Sequence, residues 1–143
     1  MNLKASELSG GELQCVAIAE ALARDCDLVL LDEPSAYLDI EQRLVVSKAI
    51  RNVISNRGIS ALVIDHDLLF LDYLSDRLMV FEGKPAQHGT AAGPFSMEEG
   101  MNRMLSTLNV TMRRDEESHR PRVNKPDSVK DREQKKSGKL YYT

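Results

Sequence analysis

The chain has 143 residues, of which 42% are hydrophobic, 29% charged and 5% aromatic. These values are typical of a soluble globular protein with a mainly aliphatic core. The sequence has no apolar run of about 18 residues, which excludes a membrane-spanning helix. Its two cysteines, Cys15 and Cys26, lack the spacing of a zinc or CxxC redox site. We therefore expect a cytoplasmic protein with no membrane span and with reduced thiols.

The formal charge of −3 is unevenly distributed along the chain. Residues 1–112 contain nine basic and sixteen acidic residues, whereas residues 113–143 contain ten basic and six acidic ones. This change predicts a folded part over residues 1–110 and a charged C-terminal tail over residues 111–143. A basic tail can approach RNA or an acidic surface. A solvated tail, or one docked on another part of the protein, explains the same composition.

Hydrophobic periodicity predicts helices that alternate with strands. The predicted elements, in chain order, are a helix over Leu8–Arg24, a strand over Asp27–Asp32, a helix over Ile40–Arg57, a strand over Ser60–Asp65, a short helix from Asp67 to about Ser75, a strand over Arg77–Glu82, a loop over 84–96, a helix over Met97–Leu108 and extended or conditionally ordered chain from about Arg113. We expect the first helix to be buried on most sides and the first strand on both faces. The alternation indicates an α/β fold with a parallel sheet, whose ligands bind at the carboxyl ends of the strands.

The first predicted helix opens with Leu8-Ser9-Gly10-Gly11-Glu12. Ser9 and Glu12 fit a helix capping box, which is a purely structural explanation. A capping box does not explain two adjacent glycines, because glycine is a poor helix former. Glycines at a helix N-terminus leave bare amide groups that a phosphate can approach, and a serine hydroxyl adds a donor. The string therefore also predicts a phosphate contact.

Acidic residues and a histidine follow the ends of two predicted strands. Asp32 could hold Mg²⁺ through water, and Glu33 could orient and deprotonate a water that attacks a phosphoryl group. His66 emerges at the same edge, where it could contact a terminal phosphate. Asp39 either caps the next helix or belongs to a loop at a contact between domains. We assign no role to His88 or His119.

These strings, in this order, resemble the nucleotide-binding domains of ABC-type ATPases over roughly residues 6–83. The resemblance implies a partial P-loop NTPase fold with ATP and Mg²⁺ as cofactors. It also implies a role for each matching residue: contact with ATP bound by an opposing domain for Ser9, Gly10, Gly11 and Glu12, coupling of two sites for Asp39, magnesium binding for Asp32, and catalysis for Glu33 and His66.

A narrower resemblance, to subfamily E or the RNase L inhibitor family, rests on the loop around Tyr37 and on C-terminal strings such as Arg120–Lys125 and Asp131–Lys135. It implies the C-terminal part of a second nucleotide-binding domain in a cytoplasmic, ribosome-recycling ATPase. The implied partners are the opposing nucleotide-binding domain, a ribosomal subunit and translation factors, and iron–sulfur clusters belong to a separate N-terminal domain. The alternatives are the ATP-binding subunit of an ABC transporter and a non-catalytic interaction fragment.

The sequence contains no Gly-x-x-x-x-Gly-Lys-Ser/Thr phosphate loop. By family resemblance, the strand that feeds this loop lies in the centre of the sheet, so the phosphate-loop half of the domain is expected to lie elsewhere. We therefore expect the 143-residue chain alone to bind ATP poorly, to hydrolyse none and to be marginally stable or prone to aggregation.

Overall fold

The computed structural model describes residues 4–84, 86–115 and 121–142. The chain divides into two compact units, over residues 1–75 and 76–143. Both units combine helices with strands, which confirms the predicted α/β class. The functional division at residue 110 stays a prediction.

The first unit is a strand–helix–strand arrangement with a helix on either side. A short 3₁₀ turn at Ala5–Glu7 is followed by α1 (Gly10–Ala23), β1 (Leu28–Asp32), α2 (Ile40–Arg57), β2 (Ser60–Ile64) and α3 (Leu68–Leu74). β1 and β2 pair in parallel, from Leu28 opposite Ser60 to Asp32 opposite Ile64. The carboxyl ends of both strands therefore lie at one edge, as the sequence predicted.

Capping residues set the ends of α2 and α3. Asp39 accepts a hydrogen bond from the Gln42 amide at 2.8 Å, and Gly58 ends α2 with a positive φ of 64°. Asp67 accepts bonds from two amides in the first turn of α3. Gly58 thus ends α2 and Asp67 begins α3, in the positions that glycine and aspartate commonly take at helix ends.

The core of the first unit lies on one face of the small parallel sheet. Val29 and Leu31 of β1 are buried among aliphatic residues of α1 and α2 and Phe70 of α3. The other face is open, because Leu30 is 66% exposed and its neighbour Leu62 is 47% exposed. The prediction of a strand covered on both faces is therefore wrong, since in the described residues only one layer of helices covers β1.

The prediction that α1 is buried on most sides is also wrong. Ile18 and Leu22 are buried and Cys15 is half-buried against the core. Val16 is 53% exposed, and most of the alanines of α1 are exposed as well. A helix that packs on one face of a sheet buries a single stripe, and small alanines tolerate either environment.

The second unit contains two antiparallel strand pairs and two helices in the residues that the structure describes. Its elements are β3 (Arg77–Lys84), β4 (His88–Ser96), α4 (Met97–Leu108), β5 (Met112–Arg114), β6 (Pro121–Val123) and α5 (Val129–Ser137). β3 pairs with β4, and β5 pairs with β6. The loop predicted over 84–96 is wrong, because β4 occupies most of it. Its glycines and prolines conceal the strand in the sequence, whereas the backbone of β3 supplies the hydrogen bonds that form it.

α4 packs against the β3–β4 hairpin through a glycine. Gly100 is buried, and a Cβ atom there would lie 2.7 Å from the Leu78 Cβ, so any larger residue would force Leu78 or the helix to shift. Met101 and Leu105 on the same helix are fully buried. Arg103 adds a bidentate ion pair with Glu82, whose pKa this hydrogen bonding holds below its ordinary value. The predicted bounds of α4 are confirmed.

The described residues from Thr111 onward, 111–115 and 121–142, are arranged around a buried carboxylate. Asp131 is 1% exposed, and its two oxygens accept bonds from the Thr111 hydroxyl at 2.6 Å and the Asp127 amide at 3.0 Å. Asn124 donates to the Thr111 hydroxyl at 2.8 Å. The Thr111 bond, helped by the Asp127 amide and Lys135, lowers the pKa of Asp131 although burial opposes it. Of the two predicted states, extended chain is wrong over Val129–Ser137, because this polar network and the cap at Ser128 stabilise a helix that has no apolar stripe. Conditional order, the other alternative, stays a prediction.

Candidate functional site

The N-terminus of α1 is closed by a capping box. The Glu12 carboxylate accepts bonds from the Ser9 amide at 2.8 Å and the Ser9 hydroxyl at 2.7 Å, while the Ser9 oxygen faces the Glu12 amide at 3.4 Å. These bonds from Ser9 lower the pKa of the exposed Glu12. The capping interpretation is therefore confirmed, and the phosphate contact of this helix end stays a prediction.

The two glycines of α1 have different surroundings. Gly11 is buried, and a Cβ there would lie 2.9 Å from the Tyr37 carbonyl oxygen and 3.0 Å from Gln42 Oε1. Gly10 is exposed, and a Cβ there would meet the Tyr37 ring at an ordinary 3.4 Å. Close packing therefore explains why position 11 needs a glycine, but it does not explain the glycine at position 10. Gly10 keeps the bare amide that a phosphate contact needs.

Glu33 lies just beyond β1 in a constrained turn. Its amide donates to the Ile64 carbonyl at 2.7 Å, which extends the pairing of β1 with β2 by one residue. Its φ of 47° lies in the left-handed region, which costs an L-residue about 1–2 kcal/mol. Gln14 of α1 donates to the Glu33 and Pro34 carbonyls at 3.3 and 3.4 Å. A backbone bond to β2 and side-chain bonds from Gln14 of α1 thus hold this unfavourable turn in place.

The structure brings Glu33 and His66 together. Glu33 Oε1 lies 3.7 Å from His66 Nδ1, although the two residues follow different strands. Both side chains face solvent, with 60% of Glu33 and 77% of His66 exposed. A carboxylate base beside a donor that can reach a phosphate is the arrangement that phosphoryl transfer to water requires.

Asp32 lies exposed at the last position of β1, next to Glu33. Among the described residues, no group of three acidic, histidine or cysteine side chains could hold a metal ion. Mg²⁺ does not need such a group, because it keeps several waters and is bound through one or two carboxylates and substrate phosphates. Asp32 therefore fits a magnesium ion that takes its other ligands from a nucleotide and water.

The loop from Ser35 to Asp39 contacts the N-terminus of α1. Tyr37 has a φ of 61°, and its side chain is 81% exposed. Its ring lies 3.4 Å from the position that a Cβ atom at Gly10 would take. Asp39 forms a capping box with Gln42, so its structural role is confirmed. Its coupling role stays a prediction.

The sequence interpretation gave no role to Asp65, whose side chain is fully buried and hydrogen-bonded to Ser35. The parallel register could have revealed it, because Asp65 follows the pair formed by Asp32 and Ile64 and so faces Glu33. His88 lies exposed in β4, and His119 lies outside the described residues. In the part of the chain that the structure describes, no helix is both long and apolar enough to cross a membrane.

Several known proteins are similar to this chain in sequence, in fold or in both. A family model described as ABC transporter matches residues 1–36. An uncharacterized ABC transporter ATP-binding protein of Methanocaldococcus jannaschii is 52% identical over 136 residues, which cover 95% of this chain and 23% of that protein. Translation initiation factor RLI1 of Saccharomyces cerevisiae is 51% identical over 135 residues, which cover 94% of this chain and 22% of that protein.

A solved structure agrees with these relatives. It is the crystal structure of the complex of archaeal ribosomal stalk protein aP1 and archaeal ribosome recycling factor aABCE1, with 60% identity and a TM-score of 0.89. The match covers 97% of this chain and 27% of that one. The chain spans less than a quarter of the length of the curated relatives it matches. With about half or more of its residues identical over nearly its whole length, the chain belongs to the ABC-type ATPases of subfamily E, the RNase L inhibitor family.

Proposed function

We propose that this chain supplies the water-activating half of an ATP-hydrolysing domain in a cytoplasmic, translation-associated protein that recycles ribosomes. The observation that carries the proposal is the 3.7 Å approach of Glu33 and His66 at the shared edge of β1 and β2. The ATP phosphates would be bound by a phosphate loop outside these 143 residues, because the 143 residues do not contain that motif.

In this proposal each residue at the sheet edge has its own task. Glu33 orients a water and takes up its proton as the water attacks the γ-phosphoryl group. His66 contacts the γ-phosphate and, through its neighbour Glu33, keeps the water in line. Asp32 holds a magnesium ion through water, and that ion, when bound, neutralises charge on the phosphates. The exposure of all three side chains supports a nucleotide that approaches from outside this unit.

The N-terminus of α1 would serve the ATP that an opposing nucleotide-binding domain holds. Ser9 and Gly10 would present a hydroxyl and a bare amide to the γ-phosphate, with the helix dipole favouring its negative charge. Gly11 would stabilise the N-terminus of α1 through its close packing, and Glu12 would stabilise it through capping. Asp39 would couple the two sites, since its loop also carries Tyr37, whose ring lies 3.4 Å from the position that a Cβ atom at Gly10 would take.

Ribosome recycling is favoured over transport because the likeness to subfamily E extends over 94–97% of the chain. The archaeal homologue of known structure is named as a ribosome recycling factor and is bound to a ribosomal stalk protein. We propose a ribosomal subunit and translation factors as partners of the intact protein, and iron–sulfur clusters as the cofactors of a separate domain.

The proposal can be tested in a chimera in which this chain replaces the matching segment of the yeast relative, so that the missing phosphate loop is present. ATP hydrolysis is measured for the chimera and for its Glu33→Gln variant. A variant with alanine at Asp32, Glu33 and His66 gives the background from the rest of the protein. Glu20→Gln is the matched control, because Glu20 is an exposed carboxylate of α1 paired only with Arg24 in the contacts that the structure describes.

We expect Glu33→Gln to reduce the hydrolysis rate to the background of the triple variant, with the Glu20→Gln rate unchanged. The amide is nearly isosteric with the carboxylate but cannot accept the proton. A Glu33→Gln rate within about twofold of the parent chimera would contradict the role of this residue as base.

A further inference from the structure

Asp65 joins the two loops that follow β1 and β2. Its side chain is fully buried, and its two oxygens accept three hydrogen bonds. Oδ2 accepts from the Ser35 amide at 3.0 Å, while Oδ1 accepts from the Ser35 hydroxyl and from the Asp67 amide, both at 2.8 Å. One carboxylate therefore holds chain segments that are separated by thirty residues in the sequence.

These bonds hold a residue close to each of the two proposed reacting groups, Glu33 and His66. Ser35 lies two residues after Glu33 and is 1% exposed, and Asp67 lies directly after His66. Asp67 is itself fixed, because it caps α3 and forms an ion pair with Arg43 of α2. Movement of either loop would therefore have to break bonds to a carboxylate that water does not reach, and such bonds to ionised groups are among the stronger ones.

We propose that Asp65 is a positioning residue that sets the distance between Glu33 and His66. This inference rests on the proposed function of those two residues. The left-handed backbone of Glu33 supports it, because a turn held in an unfavourable conformation needs bonds that fix both of its ends. One end is fixed by the bond from the Glu33 amide to Ile64, and Asp65 fixes the other through Ser35.

If Asp65 only stabilised the fold, its loss would weaken the sheet and the activity together. The contacts of the sheet and of α3 argue against that role. The pairing of β1 with β2 uses backbone bonds only, and Asp67 rather than Asp65 caps α3. Loss of the Asp65 charge should therefore leave the sheet intact and loosen only the loops that carry Glu33 and His66. Replacement by asparagine is the sharpest change, because it turns an oxygen that accepts from Ser35 into a nitrogen that donates.

The test uses the same chimera and three variants: Asp65→Asn, Ser35→Ala, which removes the hydroxyl bond and keeps the amide bond, and the double variant. Asp25→Asn is the control, since Asp25 is a fully exposed carboxylate 3.8 Å from Arg57. The measurements are kcat and KM for ATP, together with hydrogen exchange of residues 28–32 and 60–64 as a measure of the fold.

We expect Asp65→Asn to lower kcat at least about tenfold, to leave KM within about twofold and to leave the exchange of both strands unchanged. Ser35→Ala should lower kcat by about threefold, and the double variant should be no slower than Asp65→Asn, because both changes remove the same link. Asp25→Asn should match the parent chimera.

The proposal is wrong if Asp65→Asn keeps kcat within about twofold of the parent, or if kcat and strand protection are lost together. If Asp65→Asn does not fold, Ser35→Ala decides: an unchanged kcat overturns the proposal. The Glu33→Gln variant separates the two hypotheses. If it is as fast as the parent, the proposed function fails; if it is inactive while Asp65→Asn is fast, only the positioning role fails.

Discussion

His66 Nδ1 lies 3.7 Å from Glu33 Oε1, at the edge where two parallel strands end. This proximity predicts that removal of the imidazole slows hydrolysis as well as weakening contact with the γ-phosphate. In the chimera, His66→Ala should lower kcat by about 100-fold, within the range found for removal of a proton-transfer partner. His88→Ala is the matched control, because His88 is an exposed histidine of β4 and should leave kcat unchanged. Equal rates for the two variants would exclude a role for His66.

The two glycines of α1 should respond differently to alanine. Gly11→Ala forces a methyl group to within 2.9 Å of the Tyr37 carbonyl oxygen, so the contact between α1 and the loop after β1 should open more easily by about 1–3 kcal/mol. Gly10→Ala meets only ordinary contacts and should leave local stability unchanged, while its methyl group covers the amide and lowers activity. Hydrogen exchange of residues 9–14 and 35–42 measures the first effect and ATP hydrolysis the second. Similar exchange in both variants would contradict this distinction.

Much of the first unit could be predicted because its sequence signals are local. The predicted helices and strands of this unit lie within two residues of their observed bounds. The signals that define them include the aliphatic run before Asp32, the Asp39 cap and Gly58. The bond between Asp65 and Ser35 could not be predicted in this way, since it depends on the register of two strands. The open face of β1 could not be predicted, because a continuous aliphatic run occurs both in strands covered on one face and in strands covered on two faces.

The second unit was predicted less well because its order depends on pairing and polar contacts. β4 has little hydrophobic alternation, and its hydrogen bonds come from β3. α5 has no apolar stripe, and Ser128, Gly138 and the buried Asp131 define it instead. Composition alone therefore predicts only a charged tail, either solvated or in contact with RNA, an acidic surface or another part of the protein, and it does not predict the helix.

The open face of the parallel sheet predicts self-association of the isolated 143-residue chain. Leu30 and Leu62 are neighbours on that face, and exposed aliphatic patches of this kind promote association. Light scattering after size-exclusion chromatography should show species larger than a monomer. The Leu30→Thr/Leu62→Thr variant should shift the chain toward the monomer, whereas Phe81→Thr, at a 74% exposed position in β3, should not. A monomeric parent chain with a cooperative melt would contradict the prediction.

The stability of the second unit should fall in acid. The pKa of Asp131 is lower in the folded protein than its ordinary value of 3.8, so its stabilising effect is complete above that value and is lost as pH falls through the folded pKa. Glu82 behaves in the same way through Arg103. Urea unfolding of residues 76–143 should therefore show constant stability down to about pH 5 and a decline below it.

The Asp131→Asn variant provides the control for that measurement. It should be less stable at pH 7, because the amide cannot accept bonds from both Thr111 and the Asp127 amide as the carboxylate does. Its stability should also depend less on pH, with the remainder due mainly to Glu82. An unchanged pH profile would show that Asp131 does not titrate differently in the folded and unfolded states.

The central claim is that Glu33 acts on ATP that another segment holds. The most direct measurement is the identity of the nucleotide retained by the Glu33→Gln chimera after incubation with radiolabelled ATP and rapid removal of free nucleotide. We predict that the variant retains ATP, because ATP binding survives while the proton acceptor is missing. Retention of ADP in its place, with continued turnover, would show that the chain does not supply the base.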